Sequence, residues 1–101
     1  MPQINVEDRG GSRWITLQGE LDQAEVLHLK REFDQAIEGA AGEIVLDMSQ
    51  VTFIGSLGIG LILATQEELS DQGRSFKLAG VSQFVEKTLD MMSIADVFEY
   101  V

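Results

Sequence analysis

Ser56 stands in the run Val51-Thr52-Phe53-Ile54-Gly55-Ser56-Leu57-Gly58-Ile59-Gly60, where a β-prone segment gives way to a helix. A hydroxyl at such a junction has two uses. It can cap the helix by accepting from a backbone N–H one turn in. It can also carry a phosphate, because free N–H groups and the positive end of the helix dipole face it there. Glycines at 55, 58 and 60 serve a tight turn, or let another backbone approach closely.

Other chemistries fit these residues poorly. The three glycines are followed by no Gly-Lys-Ser/Thr and do not space as G-x-G-x-x-G, so neither phosphate-cradling motif is present. Ser56 lacks the G-x-S-x-G elbow of a hydrolase nucleophile, and the single histidine, His28, lies on an earlier helix. Asp22 and Asp47 would be the carboxylates for acid/base work or a metal, but a helix cap and a strand end are commonly structural positions. There is no cysteine, which removes disulfides, thiolate zinc sites and cysteine nucleophiles together. No catalytic residue, cofactor or metal site is expected.

The elements that must position Ser56 are legible from periodicity. Ile4 to Glu7 and Trp14 to Leu17 read as strands joined through Gly10-Gly11-Ser12, a hairpin. Gly19-Glu20-Leu21-Asp22 breaks the pattern, and Asp22 can cap the next helix. Val26, Leu29, Phe33, Ala36 and Ile37 recur at helical spacing between Ala24 and about Ala40. Glu43 to Met48 is an apolar run suited to a strand buried on both faces, ended by Asp47 and turned by Ser49-Gln50. Val51 to Ile54 is a further β-prone stretch before the helix that opens near Ser56 and runs to about Asp71. Phe76 to Ala79 is a strand, Ser82 caps a third helix, and Val97 to Tyr100 reads as an edge strand. The order β-β-α-β-α-β-α-β implies an α/β fold with right-handed crossovers onto one mixed sheet of four or five strands, with helices mainly on one face. Ile44, Leu46, Phe53, Ile62, Leu69 and Leu78 are the expected core.

On the helix after Ser56, Gly58, Ile62, Thr65 and Leu69 share one face, taken as the core side. Gly60, Leu63 and Ala64 point away from it, with Leu57 and Leu61 on one flank and Ile59 on the other. Apolar residues thus exceed what one core face needs, so the helix start is either covered by the fold or exposed for docking; the docking expectation centres on Ser56, Leu57, Gly60, Leu61 and Ala64.

Composition narrows the partners. With 45% apolar and 24% charged residues in 101, the chain suits one compact soluble domain spanning residues 1–101. Its formal net charge of −10 repels nucleic-acid phosphates and anionic lipid; most of it reads as a solubilising acidic surface, the sharper reading is steering toward a basic partner, and charge alone does not separate the two. No apolar run approaches the roughly 18 residues that span a bilayer, and no basic-then-apolar leader is visible. A cytoplasmic location is the expectation.

The segment from Asp47 to Gly60, preceded by Gly19-Glu20-Leu21-Asp22, resembles the STAS domain of bacterial anti-sigma factor antagonists. That family's pattern reads roughly D-L-S-x-V-x-F-I-D-S-S/T-G-L-G after an earlier G-x-L-D, and the likeness extends over the whole chain in length and element order. By this resemblance Ser56 matches the phosphorylated serine and Asp22 an acidic residue beside the phosphorylation loop. Asp47 matches the aspartate ending the buried strand, and Gly58 and Gly60 the helix-start glycines. Gly55 stands where many members carry Asp, and Leu57 replaces a second Ser/Thr, so one acceptor hydroxyl remains. The implied function is partner switching. The unphosphorylated chain would bind an anti-sigma factor serine kinase of histidine-kinase-like ATPase fold. Phosphorylation of Ser56 would release it, and a PP2C-type phosphatase would reset it. The alternative is a STAS binding subunit of a transport or scaffold complex that is not phosphorylated.

Overall fold

The computed structural model describes residues 3–40 and 42–101. Two strands, β1 (Gln3–Arg9) and β2 (Ser12–Leu21), form an antiparallel hairpin closed by Gly10-Gly11, with Arg9 opposite Ser12. Gly10 takes a positive φ of 61°, which the mirror-image turns of two-residue hairpins require. Helix α1 (Gln23–Glu38), β3 (Glu43–Ile54), α2 (Ser56–Asp71), β4 (Phe76–Ala79) and α3 (Gln83–Met91) come next. A single 3-10 turn (Ala95–Val97) then leads into the short edge strand β5 (Glu99–Tyr100).

The sheet order is β1-β2-β3-β4-β5, and every pairing after the hairpin is parallel. Each crossover therefore steps to the next strand in the same direction. Right-handed crossovers of that kind place α1, α2 and α3 on one face. The core agrees: Phe33 of α1, Ile62 of α2 and Val85 of α3 join one buried cluster with Ile15, Leu46 and Leu78, which are adjacent in register. On the opposite face Trp14, Val45 and Lys77 lie in register, and the Arg9 guanidinium rests 4.3 Å from the Trp14 ring centroid.

Three expectations need correction. Gly19 to Leu21 does not break β2; Leu21 is its last residue, paired with Ile54. Likewise Asp47 does not end β3, and Ser49-Gln50 is not a turn between two segments. The strand is continuous, and its pairing with β2 slips twice. Asp47 Oδ1 accepts from the Ser49 N–H at 2.9 Å, so a side chain satisfies a donor in the irregular stretch. Finally, Phe53 is 42% exposed rather than core. The second slip lies between Val51 and Ile54, both buried, and it turns Thr52 and Phe53 outward together. The other five expected core residues are buried.

Candidate functional site

The site is built where β2 and β3 end side by side. Leu21 and Ile54 are register partners, and the Gly55 N–H donates to the Leu21 carbonyl at 3.0 Å. Asp22 and Gly55 therefore leave neighbouring strand ends, about 4.8 Å apart in the hydrogen-bonding direction. Ser56 comes one residue later. The fold thus brings Asp22 beside the Ser56 junction although 34 positions separate them in the chain.

Ser56 does not cap α2. Gly55 is the N-cap, extended at φ −100° and ψ −175°, and Ser56 is the first helical residue, exposed to solvent. Glycine offers no side-chain acceptor, and the first turn of α2 contains no acidic residue. Helices α1 and α3 are capped: Asp22 Oδ1 accepts from the Glu25 N–H at 3.1 Å, and Ser82 Oγ from the Val85 N–H at 3.2 Å. The start of α2 keeps the N–H groups and dipole end that favour an anion beside Ser56 Oγ.

The glycines divide by role. A Cβ on Gly58 would lie 2.8 Å from Ile54 Cγ1 and 3.2 Å from the Leu21 carbonyl oxygen, so this glycine lets α2 start against the two strand ends. A Cβ on Gly60 would meet nothing within 4 Å, and the position is exposed. Packing does not explain that glycine. At Gly55 a Cβ would make only ordinary contacts, 3.6 Å to the Phe53 ring and 3.7 Å to the Leu21 carbonyl.

Leu57, Gly60, Leu61 and Ala64 line a groove of about 310 Å³ between α1 and α2. Leu57 is 42% exposed and Ala64 is open, whereas Leu61 is buried and forms the floor. The wall on α1 is Val26 and Leu27, and Lys30, Asp34 and Glu68 add charge. Lys30 Nζ donates to Asp34 Oδ2 at 2.6 Å, and that hydrogen bond raises the lysine pKa above its ordinary value. Sequence reasoning missed Leu27, which is 67% exposed. The signal available was a leucine lying off the apolar stripe of its own helix.

Asp47 stands apart from the others. It is in register with Thr16 and Ala79, and Thr16 lies five β2 residues before Leu21, on the order of 16 Å along the strand. Its carboxylate serves the β3 irregularity, not the Ser56 loop. Among the described residues no group of three or more His, Cys, Asp and Glu could hold a metal, and no helix is long and apolar enough to cross a membrane.

The STAS domain family model matches residues 3–100. The chain is 30% identical over 93 residues, 91% of its length and 80% of the relative's, to an anti-sigma F factor antagonist of Paenibacillus polymyxa. Its structure superposes on a crystal structure of an anti-sigma factor antagonist from Mycobacterium paratuberculosis with TM-score 0.88 at 22% identity, covering 99% of this chain and 85% of that one. The unphosphorylated form of the antagonist SpoIIAA gives TM-score 0.77 at 24% identity, covering 98% and 88%.

Proposed function

Because this chain belongs to the anti-sigma factor antagonists of the STAS domain family, we propose that it works as a phosphorylation-controlled partner switch in the cytoplasm. It is a regulatory protein and not an enzyme. The observation that carries the switch is Ser56 itself: exposed, first in a helix that lacks the side-chain cap of α1 and α3, and flanked by the bare Gly60 surface.

In this reading the unphosphorylated face around Ser56, Leu57, Gly60 and Ala64 docks on an anti-sigma factor kinase and frees the sigma factor. The kinase transfers the γ-phosphoryl group of ATP to Ser56 Oγ. An Oγ–P bond forms, ADP leaves, and the hydroxyl proton passes to a base on the kinase. A PP2C-type phosphatase hydrolyses the ester and restores the docking face.

The energetics support a switch. Phosphoserine carries about −1.5 to −2 charges at neutral pH. At a separation on the order of 6 Å from the Asp22 carboxylate, each unit of that charge costs roughly 0.7 kcal/mol in water and 2.8 kcal/mol at an effective dielectric of about 20. Docking strips water from both groups, so the added penalty is about 3–4 kcal/mol, less the roughly 0.5–2 kcal/mol that the helix N-terminus returns. A net loss of about 1–3.5 kcal/mol weakens binding roughly 5- to 300-fold.

The test is incubation with purified anti-sigma kinases and ATP, then intact-mass and peptide mass spectrometry. One phosphate is expected, on Ser56, and none on Ser56→Ala. Ser56→Asp should bind the kinase more weakly than the parent. If no phosphate appears and Ser56→Asp binds like the parent, the chain acts as an unmodified STAS binding module.

A further inference from the structure

We propose that Phe53 and Phe84 form a second arm of the docking surface, where the end of β3 meets the start of α3, and that this arm enters an apolar slot bordered by basic side chains on the same kinase. The inference rests on the partner-switch reading above. Phe53 is 42% and Phe84 49% exposed, yet their rings stack on each other with centroids 6.0 Å apart and planes tilted by 36°. Both leave the core complete: Val51 and Ile54 fill the sheet on either side of Phe53, and Val85 and Leu89 do so on α3. Two large rings in mutual contact in water are not what an isolated acidic domain needs, and contiguous exposed apolar surface marks partner sites.

Position ties this pair to the switch. The Phe53 ring lies against Gly55, the residue that caps α2, as the 3.6 Å approach to a Gly55 Cβ shows. Strand β3 runs between β2 and β4. Asp22 follows the β2 end beside the carboxyl end of β3; β4 stops earlier, opposite Asp47, and it is the start of α3 that brings Phe84 onto the Phe53 ring. The groove is lined by α1 and α2, whereas the aromatic pair is formed by the end of β3 and the start of α3, so Ser56, one residue past Gly55, adjoins both. A partner centred on Ser56 spans both.

Charge identifies the slot. Glu20 is the register partner of Phe53, Asp22 comes at the next strand end, and the chain as a whole carries −10. A second copy of this chain, or a nucleic acid, would bring like charge to that rim. An apolar slot edged by Lys and Arg complements it. Stacked rings are also suited to the work, since aromatic residues are enriched in the buried centres of interfaces and hold few rotatable bonds.

The experiment titrates Phe53→Ser and Phe84→Ser, with Gly60→Gln and Ser56→Asp as references, against each anti-sigma factor ATPase kinase of the source genome. Each phenylalanine change should weaken binding by about thirtyfold or more, the size of an interface hot spot. The double change should cost less than the two separately, because one ring supports the other. A readout that keeps an aromatic side chain in place is photo-cross-linking from Phe84→benzoylphenylalanine, expected with the parent Ser56 and lost with Ser56→Asp. If both serine variants bind within twofold of the parent while Gly60→Gln loses affinity, the aromatic arm is refuted and the switch stands. Absence of the cross-link refutes it equally. If the parent binds none of the kinases, the switch reading falls and takes this proposal with it.

Discussion

Gly60 is a position where an effect on folding and an effect on docking can be told apart. Glycine inside a helix is less favourable than alanine by about 0.8–1.0 kcal/mol. A Cβ at this site meets nothing within 4 Å, so the fold gains nothing from its absence. Gly60→Ala and Gly60→Gln should therefore stabilise the protein by about 0.5–1 kcal/mol. For a domain of this size that raises Tm by roughly 2–8 °C. The neighbouring glycine behaves oppositely. Gly58→Ala would force a methyl 2.8 Å from Ile54 Cγ1 and 3.2 Å from the Leu21 carbonyl, with a loss of about 1–3 kcal/mol typical of overpacking. If Gly60 is bare so that a partner can approach the helix, Gly60→Gln should bind the kinase at least tenfold more weakly while melting higher. Thermal melts beside titration calorimetry decide it. A Gly60→Gln protein that melts at or above the parent and binds with unchanged affinity places the docking surface elsewhere. One that melts lower shows that this helix face is packed, and the geometric argument fails.

Gly55→Asp should fold normally, since its Cβ would make only 3.6 and 3.7 Å contacts at an ordinary φ of −100°. If the missing carboxylate limits phosphoryl transfer, this variant gains phosphate faster in a timed kinase assay; an unchanged rate shows that Asp is dispensable there. Asp22→Ala removes the α1 cap and should cost about 1 kcal/mol in a chemical melt. Asp22→Asn keeps the cap, so it should melt like the parent while narrowing the affinity gap between parent and Ser56→Asp. Ser93 holds a left-handed φ of 58° just past α3, where the Ile94 N–H bonds the Leu89 carbonyl at 3.0 Å, so Ser93→Gly should stabilise by up to about 1 kcal/mol. Glu43 accepts from Ser12 Oγ at 2.7 Å, Lys77 Nζ at 3.1 Å and Ser75 Oγ at 3.0 Å, which together hold its carboxyl below the ordinary pKa. A depressed carboxyl stabilises the fold above its unfolded pKa and loses that contribution as pH falls through the folded value. Glu43→Gln should accordingly flatten the acid side of a Tm-against-pH curve.

What the sequence determined by itself was local. The apolar stripe from Val26 to Ile37, the caps at Asp22 and Ser82, the strand at Phe76 to Ala79, and the placing of Ser56 where a strand becomes a helix all rest on side chains within one or two turns. Those signals sufficed for the α/β order and for the inward face of α2, where Gly58, Ile62, Thr65 and Leu69 are buried. What only the tertiary structure decided was register. Asp47-Met48-Ser49-Gln50 has turn chemistry, yet pairing with β2 carries the strand through it as a bulge, moving Asp47 away from the strand end. The same pairing turns Phe53 out of the core and sets Asp22 beside Gly55. The groove needed Leu27 from a helix distant in the chain. Each of these depends on which residue of β2 sits opposite which residue of β3. That alignment is selected by the summed burial of the whole sheet, and no window of a few residues contains it.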